Sequence, residues 1–510
     1  MKNKMTSRFL PALLLLAGIS VASARAETTL TVIDGIDLKD WDPAIAYAHE
    51  TYVLGNVYEP LTRYNTKLGK LEPALATAWS VSQDGLKWTF TLRPNVKFHD
   101  GTLVTAGAIK TVLDRNIKMD EGANYLWGKA VVEAPNDSTL VLTTKDPLPL
   151  DLVSSSQYTM IYSAAAAAKG TEWFQKGNAD GTGPYKVVQW VPNQQVVLEK
   201  NPDYWGGWKG GEPDRVIVRI VSEVSTQLQM LRSGEAQLGF STIPFDLVAS
   251  LRQDPKLKVD VFDSWQYLLA PIDVAKPPTD NLKFRQALTH IMDYETVAAQ
   301  LFAGLASVSR STTPMALPGA MTYDMPKFDL GLAAKLLQES GVPKDKWRIS
   351  WVVYSGLDVI KNVALLFQAN AAKVGVQVDI VQGDWGAVLS KQRQSETAAN
   401  VLPYRNWPDY GTVQPASMFK TQKKVSFNLG YYSNEQVDTW IDEGTRLEAV
   451  DKKGSAEAWR KAYQKVIDDA AAMFIVDILH IVPHSANLQG VTMDPAYETV
   501  FFHDLRPTGS

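Results

Sequence analysis

The chain has 510 residues, of which 45% are hydrophobic and 21% charged, and it contains no cysteine. The absence of cysteine excludes disulfides, thiolate zinc sites, iron–sulfur clusters, cysteine nucleophiles and a bacterial lipid anchor. Because 51 basic residues are balanced by 55 acidic ones, we expect no strongly basic surface and no nucleic-acid partner. With only six histidines, we expect no protein-built metal site. We also expect no cofactor.

The N-terminal residues 1–26 have the pattern of a secretory signal peptide. Basic residues come first, an apolar run follows at 9–21, and Ala24-Arg25-Ala26 forms a small-residue cleavage site. The apolar run is too short to span a bilayer, which takes roughly 20 residues. We therefore expect an exported, periplasmic protein.

The next part of the chain alternates apolar and polar residues at period two, which is typical of strands, with Asp-Gly turns between them. The predicted strands are 30–33, 88–92, 139–143 and 216–221.

The C-terminal half mixes helices and strands. A predicted strand, helix and strand at 349–354, 359–374 and 376–381 indicate a parallel β-α-β crossover. Further predicted helices are 284–301, 330–339, 437–445 and 456–473. The mixture predicts an α/β protein with more than one lobe.

Motifs for catalysis are sparse. The sequence has no G-x-S-x-G elbow and no Walker loop, and His49-Glu50 lacks the second histidine of a zinc protease. Asp468-Asp469 would serve as an acid/base pair in a secreted hydrolase, or simply as a solvated helix face. Nothing in the sequence requires an active site, and we expect no enzyme.

One loop, 404–411, concentrates binding chemistry. Tyr404, Arg405, Trp407, Asp409 and Tyr410 place a guanidinium, an indole, a carboxylate and two phenols close together, and Pro408 and Gly411 disfavour a helix. Aromatic faces offer stacking area, and a charged group fixes one end of a ligand. A structural turn with an Arg405–Asp409 ion pair explains the same residues equally well.

Several stretches together resemble the peptide/nickel class (family 5) of periplasmic solute-binding proteins of ABC importers. The resemblance covers nearly the whole chain after residue 26. The stretches are Trp41-Asp-Pro-Ala44, Val57-Tyr-Glu-Pro-Leu61, 71–102, Gly181-Thr-Gly-Pro-Tyr185, Asn201-Pro-Asp-Tyr-Trp205, Phe284-Arg-Gln-Ala-Leu288 and 432–438.

The resemblance implies an α/β periplasmic-binding-protein fold (type II-like, cluster C), a two-lobe clamp with an extra domain. Paired chain crossings between the lobes would act as the hinge. The implied domains are I (27–58, 180–265 and 487–510), II (59–179) and III (266–486).

The resemblance also implies a function, the capture of a small peptide or peptide-like solute for an inner-membrane permease. In peptide receptors an aspartate shortly after a tryptophan binds the ligand's ammonium group, and Trp407-x-Asp409 is similar, although the aspartate comes one residue early. Arg405-x-Trp407 is similar to the nickel receptor. An opine, an oligosaccharide and a nickel chelate therefore stay open as ligands.

The opposite wall of the site is expected to include Tyr47 and His49, and Trp385 either lines the cleft or packs in the core. We expect a monomer that closes when a ligand touches both lobes.

Overall fold

The computed structural model describes residues 27–46, 49–119, 121–122, 124–156, 159–240, 244–354, 358–406 and 418–508. No helix in these ranges is both long and apolar enough to cross a bilayer.

The strands are numbered here in chain order. They are β1 (Thr29–Asp34), β2 (Thr62–Asn65), β3 (Lys70–Pro73), β4 (Ala76–Val81), β5 (Lys87–Leu92), β6 (Val131–Asn136), β7 (Thr139–Thr143), β8 (Tyr185–Val191), β9 (Gln195–Lys200), β10 (Arg215–Ile220), β11 (Leu238–Gly239), β12 (Leu257–Phe262), β13 (Tyr267–Pro271), β14 (Ala306–Val308), β15 (Arg348–Tyr354), β16 (Gln377–Gly383), β17 (Tyr404–Asn406), β18 (Ala472–Ile478), β19 (His480–Ser485), β20 (Leu488–Gln489), β21 (Met493–Asp494), β22 (Thr499–Val500) and β23 (Arg506–Pro507).

Helices alternate with these strands, mostly in the second half of the chain. The α-helices are Thr51–Leu54, Ala106–Met119, Leu150–Val153, Ala164–Lys169, Thr171–Phe174, Val224–Ser233, Val248–Arg252, Leu282–Ile291, Tyr294–Thr296, Leu330–Glu339, Asp358–Lys373, Trp385–Gln392, Glu435–Leu447 and Lys452–Asp468. Short 3-10 helices occupy Asn124–Trp127, Phe245–Leu247, Lys344–Lys346 and Phe502–Asp504, and a π-helical turn occupies Val297–Leu301.

The largest sheet has seven strands in the order β12-β19-β11-β1-β10-β9-β8. The central strand β1 runs parallel to both β10 and β11, whereas the other neighbours are antiparallel. Val216 and Val218 of β10 are buried and alternate with more exposed residues, as the sequence pattern predicts. The carboxyl ends of β1, β10 and β11 therefore meet at one edge of this sheet.

A separate antiparallel sheet has the order β4-β5-β7-β6. Trp88 and Phe90 of β5 lie opposite Leu142 and Leu140 of β7, and all four side chains are buried. The helix Ala106–Met119 packs against this sheet and buries its apolar side chains there. This sheet has a hydrophobic core of its own.

A third sheet has the order β14-β18-β13-β17, and the parallel pair β15-β16 lies beside it. Val401 joins the two by bridging to Ile272 and to Trp351. The helix Asp358–Lys373 connects β15 to β16, which confirms the predicted β-α-β unit.

Two predicted helices were too long. The helix expected over 284–301 ends at Ile291, because Met292 is extended and Asp293 accepts a hydrogen bond from the Thr296 amide to start a new turn. The helix expected over 456–473 ends at Asp468, because Ala470 has a positive φ and β18 begins soon after.

Two chain segments run side by side between the seven-stranded sheet and the third sheet. One joins β12 to β13 through residues 263–266, and the other joins β18 to β19 through Leu479. They are tied together, since the Ile478 amide donates to the Gln266 carbonyl at 2.9 Å and the Ser264 hydroxyl donates to the Ile478 carbonyl at 2.6 Å. These paired crossings position the edges of the two sheets against each other.

Candidate functional site

A buried carboxylate lies at the carboxyl-terminal edge of the seven-stranded sheet. Asp34, the last residue of β1, is fully buried, and the Nε2 atom of His49 lies 2.6 Å from each of its carboxylate oxygens. A buried carboxylate needs such a partner because its desolvation is otherwise costly. His49, one of the predicted site residues, is thereby fixed at the edge where open α/β sheets commonly bind ligands.

An aromatic wall stands beside this pair. The Tyr52 ring lies 4.7 Å from the His49 ring in an edge-on arrangement and stacks on Phe240 at 5.4 Å. Phe240 directly follows β11, so it belongs to the same sheet edge.

His480 connects this edge with the third sheet. It is the first residue of β19, directly after the crossing residue Leu479, and it is only 3% exposed. Its ring lies 6.1 Å from that of Tyr52. Burial, and to a smaller extent the charges of Arg405 and His49, lower the pKa of the His480 imidazole to about 3. Arg405 of β17 and His49, which is held on Asp34 of β1, therefore both influence this buried ring.

The strand β17 carries two predicted residues on opposite faces. Tyr404 is buried and its hydroxyl donates to the Met418 sulfur at 3.8 Å, whereas Arg405 is only partly buried. The Arg405 amide donates to the Tyr354 hydroxyl at 3.4 Å. Burial raises the pKa of Tyr354, and its contacts with Arg405 oppose that shift.

Trp385 lies next to this strand rather than in the core. It begins the helix Trp385–Gln392, which the Asp384 side chain caps, and it remains 39% exposed. Its ring lies 4.9 Å from Tyr354 and 6.0 Å from Tyr404. An exposed tryptophan held on two tyrosines offers a flat apolar surface for stacking.

The structure brings three predicted residues together and places a fourth at the edge of another sheet. Tyr404 and Arg405 lie on β17 of the third sheet, and Trp385 packs beside Tyr404 at the start of its helix. His49 is held on Asp34 at the edge of the seven-stranded sheet. The remaining predicted residues, Tyr47, Trp407, Asp409 and Tyr410, lie outside the described residues.

Comparison with known proteins identifies the chain. Residues 70–426 match the model of the bacterial extracellular solute-binding proteins, family 5 middle. The chain belongs to this family. The expected role as the solute-binding receptor of an ABC importer is confirmed, and family 5 is a family of receptors rather than of enzymes.

Individual relatives are similar to this chain over nearly its whole length. The chain is 28% identical over 490 residues to the glutathione-binding protein GsiB of Pectobacterium atrosepticum, which covers 93% of this chain and 91% of that protein. HbpA2 of Haemophilus parasuis superimposes with a TM-score of 0.81 at 22% identity, over 94% of this chain and all of that one. DppA of Helicobacter pylori, in complex with the peptide STSA, superimposes with a TM-score of 0.76 at 24% identity, over 95% of this chain and 99% of that one. The predicted α/β two-lobe clamp with an extra domain is confirmed as the fold.

The carboxylates considered for a hydrolase are occupied in this family 5 receptor. Asp469 pairs with Lys465 at 2.6 Å and accepts a hydrogen bond from the Tyr432 hydroxyl at 2.7 Å, and Asp468 accepts one from Gln464 at 2.9 Å. Both residues lie at the C-terminal end of the helix Lys452–Asp468. Within the described ranges, no group of three or more histidine and acidic side chains is placed to hold a metal ion.

Sequence reasoning missed three residues of the candidate site, namely Asp34, Tyr52 and His480. The sequence does not mark Asp34 or Tyr52 as site residues, because Asp34 ends an ordinary strand and Tyr52 lies in a short apolar segment. His480 is marked, since it interrupts the apolar stretch from Ala470 to Val482.

Proposed function

We propose that this family 5 receptor is the periplasmic component of its importer and captures a small peptide or peptide-like solute. The leader 1–26 would export it, and the monomer would deliver the solute to an inner-membrane permease. The clamp would be built from domains I, II and III with the ranges 27–58, 180–265 and 487–510; 59–179; and 266–486.

One observation carries the proposal: a guanidinium and an exposed indole lie next to each other on one side of the paired crossings. Arg405 lies on β17 of the third sheet, and Trp385 packs against its neighbour Tyr404. On the other side, His49 is held on Asp34 at the edge of the seven-stranded sheet. A guanidinium binds a carboxylate strongly, and an indole packs well against a planar peptide unit. A peptide offers both groups in one small molecule.

The relatives support the same class of ligand. GsiB is named for glutathione, a tripeptide, and DppA was solved with the peptide STSA. We extend this class to the present chain because Arg405 supplies the cation that a free carboxylate requires.

Asp409 is proposed to bind the ammonium group at the other end of the peptide. Asp409 lies outside the described residues. The support for this role is therefore its position in the sequence, two residues after Trp407. Asp409→Asn is expected to weaken a ligand with a free ammonium group by more than tenfold. Unchanged affinity by calorimetry would remove Asp409 from the site.

Isothermal titration calorimetry with a defined panel tests the proposal. The panel contains glutathione, Ser-Thr-Ser-Ala, trialanine, a disaccharide, an opine and the nickel–histidine complex. A bound peptide at a hundredfold excess over its dissociation constant should also stabilise the fold by about 2.7 kcal/mol. Binding of the nickel complex, the sugar or the opine, with no response to any peptide, would refute the peptide class.

Arg405→Gln, with Arg348→Gln as the matched control, tests the site. Arg405→Gln should weaken a bound peptide at least tenfold, because a charge-assisted hydrogen bond contributes about 1.5–3 kcal/mol. Arg348 is an exposed arginine of β15 that pairs with Asp379 at the surface, so its variant should bind as the wild type does. Equal loss in both variants would indicate a general effect of charge instead of a site.

A further inference from the structure

An open pocket of about 550 Å³ lies between a loop and two helices in the C-terminal half of the chain. The helix–loop pocket, as we call it, is lined by residues 322–324, by Trp440 of the helix Glu435–Leu447 and by the face of the helix Lys452–Asp468 that runs from residue 460 to 468. No described residue lines both this pocket and the candidate site. Its volume is in the range of small-molecule pockets, about 300–1,000 Å³.

The loop wall of the pocket is irregular but fixed in place. Residues 309–329, between β14 and the helix Leu330–Glu339, form no strand or helix. The Tyr323 amide donates to the Arg310 carbonyl at 2.9 Å, and the Asp329 amide donates to the His290 carbonyl at 2.9 Å. Loops of this length without regular structure are uncommon in compact domains, and many of them have a binding role.

The Tyr323 hydroxyl is a buried group that has no hydrogen-bond partner within the described part of the chain. The Tyr323 ring packs against the hydrophobic core around the third sheet, as does the indole of Trp440. Buried hydroxyls in native proteins normally have partners, because an unpaired one lowers stability. An acceptor bound in the helix–loop pocket would pair this hydroxyl.

Two exposed cations, Arg460 and Lys461, line the same pocket and form no ion pair with any residue of the described ranges. Lys465 differs from them, since it is paired with Asp469 at 2.6 Å. Burial raises the pKa of Tyr323 to about 12, and the charge of Arg460 opposes that shift. A guanidinium and a phenolic donor that are both available in one pocket favour an oxyanion.

Two carboxylates in the lining limit the charge of that oxyanion. Asp324 is exposed, and Asp468 accepts a hydrogen bond from Gln464 at 2.9 Å. Both would repel a multiply charged anion such as phosphate more strongly than a single carboxylate. The rings of Tyr323 and Trp440 add apolar area, which favours an aromatic body.

We propose that the helix–loop pocket is a second small-molecule site of this receptor and binds a monocarboxylate with an aromatic body. In this site Arg460 and the Tyr323 hydroxyl bind the carboxylate, and Trp440 packs against the aromatic body. The inference goes beyond the proposed capture of a peptide and does not depend on it.

Isothermal titration calorimetry with indole-3-acetate tests the ligand class. The control probes are the uncharged indole-3-acetamide and inorganic phosphate. Indole-3-acetate should bind the wild type with a dissociation constant below about 1 mM, and at least about tenfold more tightly than either control. The ligand class is overturned if indole-3-acetate does not bind, or if either control binds as tightly.

Three variants locate the bound probe. Arg460→Gln should weaken indole-3-acetate at least about tenfold, because it removes a charge-assisted hydrogen bond. Lys453→Gln, in the first turn of the same helix and outside the pocket, is the matched control and should bind as the wild type does. If Arg405→Gln weakens the probe and Arg460→Gln does not, the probe occupies the cleft and the second site is overturned, while the peptide proposal stands.

A measurement without ligand tests the unpaired hydroxyl itself. Because this hydroxyl has no partner to lose, Tyr323→Phe should leave the melting temperature unchanged or raise it. The same variant should weaken indole-3-acetate by about threefold to tenfold. A clear drop in melting temperature would show that the hydroxyl is already bonded within the chain, and unchanged affinity would show that it does not touch the probe; either result overturns its role.

Discussion

A buried carboxylate, Glu59, provides the sharpest test of how this fold is held together. Three side chains donate hydrogen bonds to it: Thr182 at 2.8 Å, Tyr204 at 3.0 Å and Trp205 at 2.7 Å. Three of the stretches that carry the family resemblance, at 57–61, 181–185 and 201–205, thus meet at one acceptor. Their resemblance then reflects the maintenance of a buried junction.

The expected cost follows from the donors left behind. Glu59→Leu removes both acceptor oxygens and leaves three donors without their acceptor, the buried Thr182 and the partly buried Tyr204 and Trp205. At about 1–2 kcal/mol each, it should lower the free energy of unfolding by about 3–6 kcal/mol. Glu59→Gln keeps one oxygen for Thr182 and Trp205 and turns an amide toward Tyr204, whose hydroxyl also accepts. Because burial already raises the pKa of Glu59, a neutral side chain is tolerated there, and the cost should be about 1 kcal/mol.

Urea unfolding followed by intrinsic tryptophan fluorescence measures both variants against the wild type. The reasoning requires a difference between Glu59→Leu and Glu59→Gln of at least about 2 kcal/mol. If the two variants unfold at the same urea concentration, the junction does not depend on the acceptor, and the convergence of the three stretches has another cause.

Three further predictions concern other parts of the molecule. Gly183→Ala should lower the free energy of unfolding by about 1–3 kcal/mol in the same urea assay, since the added Cβ would lie 2.7 Å from the Val57 carbonyl, whereas Gly107→Ala at an open helical position should not destabilise. Burial raises the pKa of Asp494 to about 6, so its contribution to stability is present below pH 4 and is lost as pH rises through 6; Asp494→Asn should remove this slope from melting curves at pH 4–7. Trp385→Ala should weaken peptide binding about threefold to tenfold in calorimetry and change the melting temperature little. A large drop in melting temperature would show instead that Trp385 packs in the core.

The sequence predicts those parts of the fold in which periodicity is unambiguous. The alternation at Val216 and Val218 identifies β10, and the strand–helix–strand pattern identifies β15, its helix and β16. The pattern fails at β18, because all seven of its residues are buried and a continuous apolar run looks the same in a buried strand and a buried helix. The break at Asp293 was recoverable, since an aspartate three residues before Thr296 is a helix-capping signal.

The site is predictable only where its residues are neighbours in sequence. Tyr404 and Arg405 come from a single dense stretch, but which of them faces the cleft depends on the strand pairing of β17, which buries Tyr404. The contact between Trp385 and Tyr354 joins two separate elements, and no local pattern encodes it. His480 lies more than seventy residues from Arg405 in sequence, and no local pattern relates the two.

The arrangement of the candidate site residues on the two sides of the paired crossings would also determine which solutes can close the two-lobe clamp. A ligand shifts an open–closed equilibrium only through contacts that differ between the two forms, and moving the ratio from 1:99 to 99:1 takes about 5.5 kcal/mol. Contacts with Arg405 and Trp385 alone come from one side of the paired crossings, so they would contribute affinity without closure. Because His49 lies at the edge of the seven-stranded sheet, a solute would have to reach that edge as well. Selection by length and selection by closure would then be the same event in the proposed clamp.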